Sequence, residues 1–429
     1  MTRRRVAITG VGLVTPVGND VATSWSALLH GKSGVAPITL FDASGFTTRI
    51  AAEVKGFDER AISADRKLLK FANRSHKFAL AAAEQAMADA GIAPTDADGE
   101  RWACAVGTGM MGVAYDDLAA VHDHSAQTGA LDAAAILTDP IAHDPLVFCR
   151  SQSTAGVSLL TRRFGIRGYA TSVHTACASG GQAIGTALKV IRRGAADRAL
   201  AGGFDSMISP VGLSGFCLLS AVSADNDNPT RASRPFDATR NGFVLGEGAG
   251  FVVLEEWESA VKRGAHIYAE LAGDGNSLSS FRITDSPPDG DGPIQSMRAA
   301  LKDAGATPAD IDYINAHGTS TGMNDRSESA AIHAVFGDHA RTVAVSSTKS
   351  TMGHLIAAAG ACEVVACALA IDRSEMPINA NYRDPDPDCE LNLVLDAPRR
   401  QKVRMTLSNS FGFGGSNSCV ILRHRDEVK

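Results

Sequence analysis

A thiol, two imidazoles, an amine and a carboxylate stand beside glycine or small residues in this 429-residue sequence. Cys177 lies in Ala170-Thr-Ser-Val-His-Thr-Ala-Cys177-Ala-Ser-Gly-Gly-Gln-Ala-Ile-Gly185. There a β-rich run from Tyr169 to Val173 gives way to small residues, then to a helical pattern through Ala183, Ala187, Leu188 and Ile191. A thiol at the head of a helix meets unpaired N–H groups and the positive end of the dipole, so it is expected to lose its proton more easily. The chemistry would be nucleophilic; a buried structural cysteine is the plainer alternative.

Three further segments bear on that choice. Asn315-Ala-His317-Gly-Thr319-Ser-Thr321 puts a histidine at the end of a buried strand, followed by hydroxyls. Ser346-Ser-Thr-Lys349-Ser-Thr-Met-Gly-His354 puts a lysine and a second histidine in one small-residue loop, and Glu328 is within reach of either basic group. Asn409-Ser-Phe411-Gly-Phe413-Gly-Gly415-Ser-Asn417 is flexible enough to turn a backbone N–H toward a ligand. One strand-end histidine is usually a satisfied core residue, but this whole constellation is hard to attribute to packing.

The elements that must position these groups read as a duplicated α/β unit. Ala86-Met-Ala-Asp-Ala-Gly91-Ile-Ala-Pro94-Thr-Asp96 recurs as Ala300-Leu-Lys-Asp-Ala-Gly305-Ala-Thr-Pro308-Ala-Asp310, a helix stopped by glycine and followed by a strand. Those strands end alike, in Val106-Gly-Thr-Gly109 and His317-Gly-Thr-Ser320. Gly246-Glu-Gly-Ala-Gly-Phe-Val-Val-Leu254 and Gly412-Phe-Gly-Gly-Ser-Asn-Ser-Cys-Val-Ile-Leu422 are matching glycine loops entering apolar strands. The expected halves are residues 1–260, with the cysteine, and 261–429, with both histidines. Arg5 to Val14 reads as a strand whose Gly10-Val-Gly12 lacks the third glycine of a dinucleotide loop, since position 15 is Thr. Asp65 to Ala90 reads as one long helical region, basic from Arg66 through Lys67, Lys70, Arg74 and His76 to Lys77.

Composition narrows the class. The net charge of −6 offers no global field for nucleic acid. Eight cysteines without a C-x-x-C pair suit free thiols in a reducing cytoplasm better than disulfides or a metal site. No apolar run reaches the ~18 residues of a membrane span, and no signal peptide is expected.

Thr175-Ala-Cys177-Ala-Ser-Gly180, His317-Gly-Thr-Ser-Thr321, Lys349-Ser-Thr-Met-Gly-His354 and Asn409-Ser-Phe-Gly-Phe-Gly-Gly415 together resemble the motifs of the β-ketoacyl-acyl carrier protein synthases. The similarity is to the KAS II type, including type II polyketide ketosynthases, and runs from the first strand to the last. It implies a duplicated thiolase-like fold of five layers, αβαβα, and decarboxylative Claisen condensation of an acyl-enzyme with malonyl-acyl carrier protein. Cys177 would be the nucleophile, with its own N–H and that of Phe413 as the oxyanion hole. His317 and His354 would stabilise the enolate, with Lys349 and Glu328 as a supporting pair. Thr319 and Thr321 would hold the phosphopantetheine arm, which the carrier protein delivers, so no resident cofactor or metal is implied. Phe413 would gate the site on the loop Gly412–Gly415, including Gly414, and Met110 and Phe216 would line the acyl pocket.

The implied partners are an acidic acyl carrier protein, docked on Arg66 to Lys77, and a second copy in a homodimer, or a chain-length-factor-like paralogue in a heterodimer. A non-decarboxylating, thiolase-like acyltransferase and a non-catalytic heterodimer partner are the alternatives. Gly322-Met323-Asn324-Asp325 departs from the family's usual Pro-x-Gly-Asp, and Thr351-Met352 inverts its Met-Thr. Phe148-Cys-Arg150-Ser-Gln152-Ser153 is polar where the family is mostly apolar, which hints at unsaturated, aromatic or functionalised chains.

Overall fold

The computed structural model describes residues 3–63, 65–109, 115, 117–119, 123, 145–284 and 286–427. Met110 lies outside them. Ten strands form one hydrogen-bonded sheet. In chain order they are β1 Val6–Val14, β2 Trp102–Thr108, β3 Ala170–Val173, β4 Arg198–Ser206 and β5 Glu247–Glu256. The second set is β6 Ala269–Leu278, β7 Tyr313–Asn315, β8 Ala344–Ser346, β9 Met405–Phe411 and β10 Ser416–Arg423. Outward from the centre, one side reads β1-β5-β4-β2-β3 and the other β6-β10-β9-β7-β8. The order is the same with each strand advanced by five, so the sequence repeat is a repeat of topology. The halves join where β1 pairs antiparallel with β6 through Ala7–Glu270 and Ile8–Ala269.

Five helices complete the frame: α1 Arg74–Ala90, α2 Ser179–Arg192, α3 Asp291–Ala304, α4 Gly322–Phe336 and α5 Ala359–Arg373. Helix α1 covers β1, β5 and β4 on one outer face, and α3 covers β6, β10 and β9 on the other. Helices α2 and α5 pack on each other and touch strands of both halves, forming the middle of an αβαβα stack. Helix α5 is apolar nearly all round, as a helix enclosed on every side must be. The Gly10-Val-Gly12 pair serves packing: a Cβ at Gly10 or Gly12 would lie 2.2 Å from the Ala86 carbonyl or 1.9 Å from that of Ala82, on α1. Gly273 and Gly275 make the same approach to α3.

The expected helix from Asp65 to Ala90 is two helices, Arg66–Leu69 and α1. Asn73 interrupts it because its side chain accepts the His76 N–H while His76 Nδ1 accepts the Asn73 N–H, a reciprocal cap that starts a new helix. The basic run divides accordingly. Arg66, Lys67 and Lys70 are exposed, whereas Arg74 pairs with Glu247, Lys77 with Glu59, and His76 is buried.

Candidate active site

Between β3 and α2 the chain makes the turn Ala176–Ala178, with Ala176 in the left-handed region at φ 48°. That conformation is costly for a residue with a side chain and is held here by Ser179. The Ser179 hydroxyl accepts the Thr175 N–H at 2.9 Å and donates to the Ala176 carbonyl at 2.7 Å. Cys177 thereby lines a cavity of about 420 Å³ together with His317, His354, Thr319, Thr321 and Phe413.

His354 Nε2 lies 3.0 Å from Cys177 Sγ, and its Nδ1 accepts the Ile356 N–H at 3.1 Å. A nitrogen that accepts an N–H carries no proton, so the neutral ring bears its proton on Nε2 and donates toward the sulfur. The His317 ring stands 5.3 Å from that of His354, nearly perpendicular at 85°. Burial, then the charge of Lys349, holds both imidazoles well below the ordinary histidine range, and His354 lowers His317 further. Both rings are thus held toward the neutral form; His354 donates from Nε2, and His317 Nδ1 is buried without a hydrogen-bond partner among the described residues. One atom each from Cys177, His317 and His354 falls within a 4.8 Å cluster, a spacing that would also suit a metal. The proton on His354 Nε2 opposes coordination through that atom.

The thiol itself departs from expectation. Burial pushes Cys177 up to about 12, against the opposing pull of Lys349 and of the N–H groups of Phe413 and Cys177. Withdrawal of water disfavours the thiolate more than one turn of helix favours it. The N–H groups of Phe413 and Cys177 both lie where they favour the thiolate.

Lys349 does not pair with Glu328. Its buried ammonium makes an ion pair with Glu363 of α5, itself fully enclosed. Glu328, on α4, instead accepts the N–H groups of His317 at 2.8 Å and Gly318 at 2.7 Å and the side-chain amide of Asn409 at 3.0 Å. It holds the histidine turn by its backbone, while burial raises its carboxyl to about 7. Glu363 could have been suspected from a lone carboxylate in the apolar run Ala361-Cys-Glu-Val-Val, which needs a buried cation.

Thr319 and Thr321 face one another, hydroxyl to hydroxyl at 2.9 Å, on the cavity wall. Arg240, unremarked in the sequence, braces that wall by donating to the Thr321 carbonyl at 3.2 Å while paired with Asp386. Beyond it the cavity reaches the half-exposed Met323 and Arg326. Gly412 presses on the nucleophile turn: a Cβ there would lie 2.7 Å from the Thr175 carbonyl and 3.2 Å from the Cys177 nitrogen. Gly414, at φ 81°, has open space around it. Phe413 stacks on Phe216 at 6.3 Å, and Phe216 packs edge-on against Phe243. Phe216 is buried behind the Phe413 ring and is not among the residues lining this cavity.

Residues 3–260 match the family model "Beta-ketoacyl synthase, N-terminal domain" and residues 268–383 match "Beta-ketoacyl synthase, C-terminal domain". The chain belongs to the β-ketoacyl synthase family. Among β-ketoacyl synthases it is 42% identical over 422 residues to "3-oxoacyl-[acyl-carrier-protein] synthase 2" of Coxiella burnetii, covering 98% of this chain and 99% of that one. Its fold is similar to that of "The ishigamide ketosynthase/chain length factor", with a TM-score of 0.88 at 37% identity, covering 98% of this chain and 99% of the other. It is similar as well to the ketosynthase in "AntDE:AntF (apo): type II PKS acyl-carrier protein in complex with its ketosynthase bound to the hexaketide". There the TM-score is 0.86 at 34% identity, over 98% of this chain and 99% of the other. The duplicated five-layer arrangement is thus the thiolase-like fold of β-ketoacyl synthases.

Proposed function

We propose that this protein condenses an acyl group held on Cys177 with malonyl-acyl carrier protein, releasing carbon dioxide and forming a β-ketoacyl thioester. The observation that carries this reading is the Nε2–H of a neutral His354 at 3.0 Å from the nucleophile, with His317 beside it. A base at that place would serve acyl transfer alone, whereas paired donors suit a developing enolate.

In the first half-reaction the Cys177 sulfur bonds to the acyl carbonyl carbon and the carbon–sulfur bond to the carrier breaks. The proton ends on the departing pantetheine thiol. The N–H groups of Cys177 and Phe413 hold the intermediate oxyanion, each worth about 3 kcal/mol. In the second, the malonyl carbon–carboxylate bond breaks and its electron pair forms an enolate, whose oxygen His354 and His317 hold. The enolate carbon bonds to the acyl-Cys177 carbonyl, the carbon–sulfur bond breaks, and the Cys177 thiolate takes from water the one proton the reaction consumes. Thr319 and Thr321 would bond the amides of the carrier's phosphopantetheine arm, and the Phe413 loop would swing to admit it.

The chain is read as a cytoplasmic protein whose eight cysteines, all free in the structure, stay reduced. The exposed edge of β3 is the surface for a second copy or a paralogue, since an edge strand offers unpaired backbone groups. Arg66, Lys67 and Lys70 would receive the carrier protein. A second cavity of about 450 Å³ carries Ser151, Gln152 and Ser153 of the polar stretch, which favours functionalised over long saturated chains. Intact-mass analysis after incubation with saturated and polyene-type acyl-carrier substrates tests both levels. The expected result is acylation confined to Cys177, faster with the functionalised chain; a protein that stays unacylated by every substrate would overturn the reading.

A further inference from the structure

The duplication sets a second copy of the nucleophile turn beside the first. Ala176–Ala178 runs into α2 and Ile356–Ala358 runs into α5, and Ala176 and Ile356 share a φ of 48°. Ala357 therefore stands where Cys177 stands in the other half. Strand register supplies a second equivalence. Leu254 faces Ala199 as Leu422 faces Thr406, and further along Phe204 faces Ala249 as Phe411 faces Asn417. Two residues on from each phenylalanine, Ser206 is the counterpart of Phe413.

The N–H groups of Cys177 and Phe413 both act on the Cys177 thiol, and the loop before Phe413 lies against the Cys177 nitrogen, 3.2 Å from a Cβ placed on Gly412. The N–H groups of the two counterparts converge on a carboxylate: Ala357 donates to Asp205 Oδ2 at 3.1 Å and Ser206 to Oδ1 at 2.8 Å. Asp205 is buried, and Gly109 leaves it room, since a Cβ there would lie 2.3 Å from Oδ1. The symmetry-related site, with Ala357 from the second half and Ser206 from the first, thus retains paired N–H groups like those of an oxyanion hole, filled by the protein's own side chain.

The filled hole bears on the reaction because the same turn carries His354. The Ile356 N–H holds His354 Nδ1, and the next N–H along, that of Ala357, holds Asp205. We propose that Asp205 is a positioning residue, which fixes the turn in which the Ile356 N–H keeps the His354 proton on Nε2. This deepens the proposed function and rests on its reading of His354 as donor to the enolate. Without the carboxylate two buried N–H groups lose their acceptor and the turn must rearrange to recover one. A ring freed at Nδ1 takes its proton there and turns a lone pair toward the enolate oxygen.

The test is ¹⁵N NMR of histidine-labelled full-length protein, wild type against Asp205→Ala and Asp205→Asn, with single-turnover acylation and carbon dioxide release on the same samples. The expected wild-type signal is the Nε2–H tautomer of His354. Asp205→Ala should show mixed tautomers and release carbon dioxide about tenfold more slowly, with Cys177 acylation changed far less. Asp205→Asn should fall between, because its amide oxygen accepts one of the two N–H groups, and it carries the comparison if the alanine variant does not fold. An unchanged tautomer, or acylation and decarboxylation falling together, would overturn the proposal. Failure of the wild type to release carbon dioxide would count against the proposed function instead, leaving the tautomer comparison standing.

Discussion

Lys349 and Glu363 form a buried ion pair across the loop before His354 and the middle helix α5. The pair sets the field of the site, since the Lys349 charge lowers Cys177, His317 and His354 alike. Replacing Lys349 by Met should therefore raise the thiol further and slow its alkylation at fixed pH. It should also leave Glu363 enclosed and unpaired, at a cost of about 3–5 kcal/mol. Chemical denaturation and iodoacetamide labelling of Lys349→Met and of Lys349→Met with Glu363→Leu separate the effects. The double variant should recover stability and keep the slow labelling.

Labelling of the free enzyme has a definite pH course. With the thiol at about 12, the thiolate fraction rises about tenfold per pH unit from pH 7 through 10. Alkylation followed by mass spectrometry should climb across that range. A plateau below pH 8 would mean an activated thiolate already present.

Decarboxylation should lack an acidic limb near 6.5. Both imidazoles sit well below that value, so they stay neutral as pH falls through the ordinary histidine range. Carbon dioxide release by pre-acylated enzyme, followed from pH 7.5 to 5.5, should show no histidine titration. Burial raises the Glu328 and Asp205 carboxyls to about 7, so only a loss centred at 6.5 that persists in both Glu328→Gln and Asp205→Asn would place a proton-accepting histidine in the step.

Two glycines in the loop Gly412–Gly415 should respond differently. Gly412→Ala drives a methyl against the Thr175 carbonyl and the Cys177 nitrogen and should slow acylation at least tenfold by displacing the N–H pair. Gly414→Ala meets open space but keeps φ 81°, a strain of about 1–2 kcal/mol, and should shift stability with a smaller effect on acylation. Burst kinetics and melting of the two variants check the contrast.

The duplication, the order of the motifs and the residues that meet in one cavity, Cys177, His317 and His354, were legible in the sequence because each leaves a local signature: glycine stops, small residues at strand ends, hydroxyls after histidine. Charge partnership was not. Glu328 lies near His317 in sequence and Glu363 lies in an apolar helix, yet the fold gives the first to backbone N–H groups and the second to Lys349. The state of Cys177 was also hidden, because helix position is a local property and exclusion of water is a global one. Asn73 breaking the basic helix is a cap readable in principle from Asn-x-x-His, but obscured by the uniform alanine-rich pattern that follows.

The central claim is that one thiol and two neutral imidazole donors perform both half-reactions. Its most direct test follows carboxyl-labelled malonyl-carrier protein with acyl-loaded enzyme, wild type against His354→Ala. The account predicts one labelled carbon dioxide per β-ketoacyl product in the wild type. It predicts a 10²–10³-fold slower release in the variant, whose Cys177 still takes up acyl groups. Product formed with the label retained, or release indifferent to His354, would contradict it.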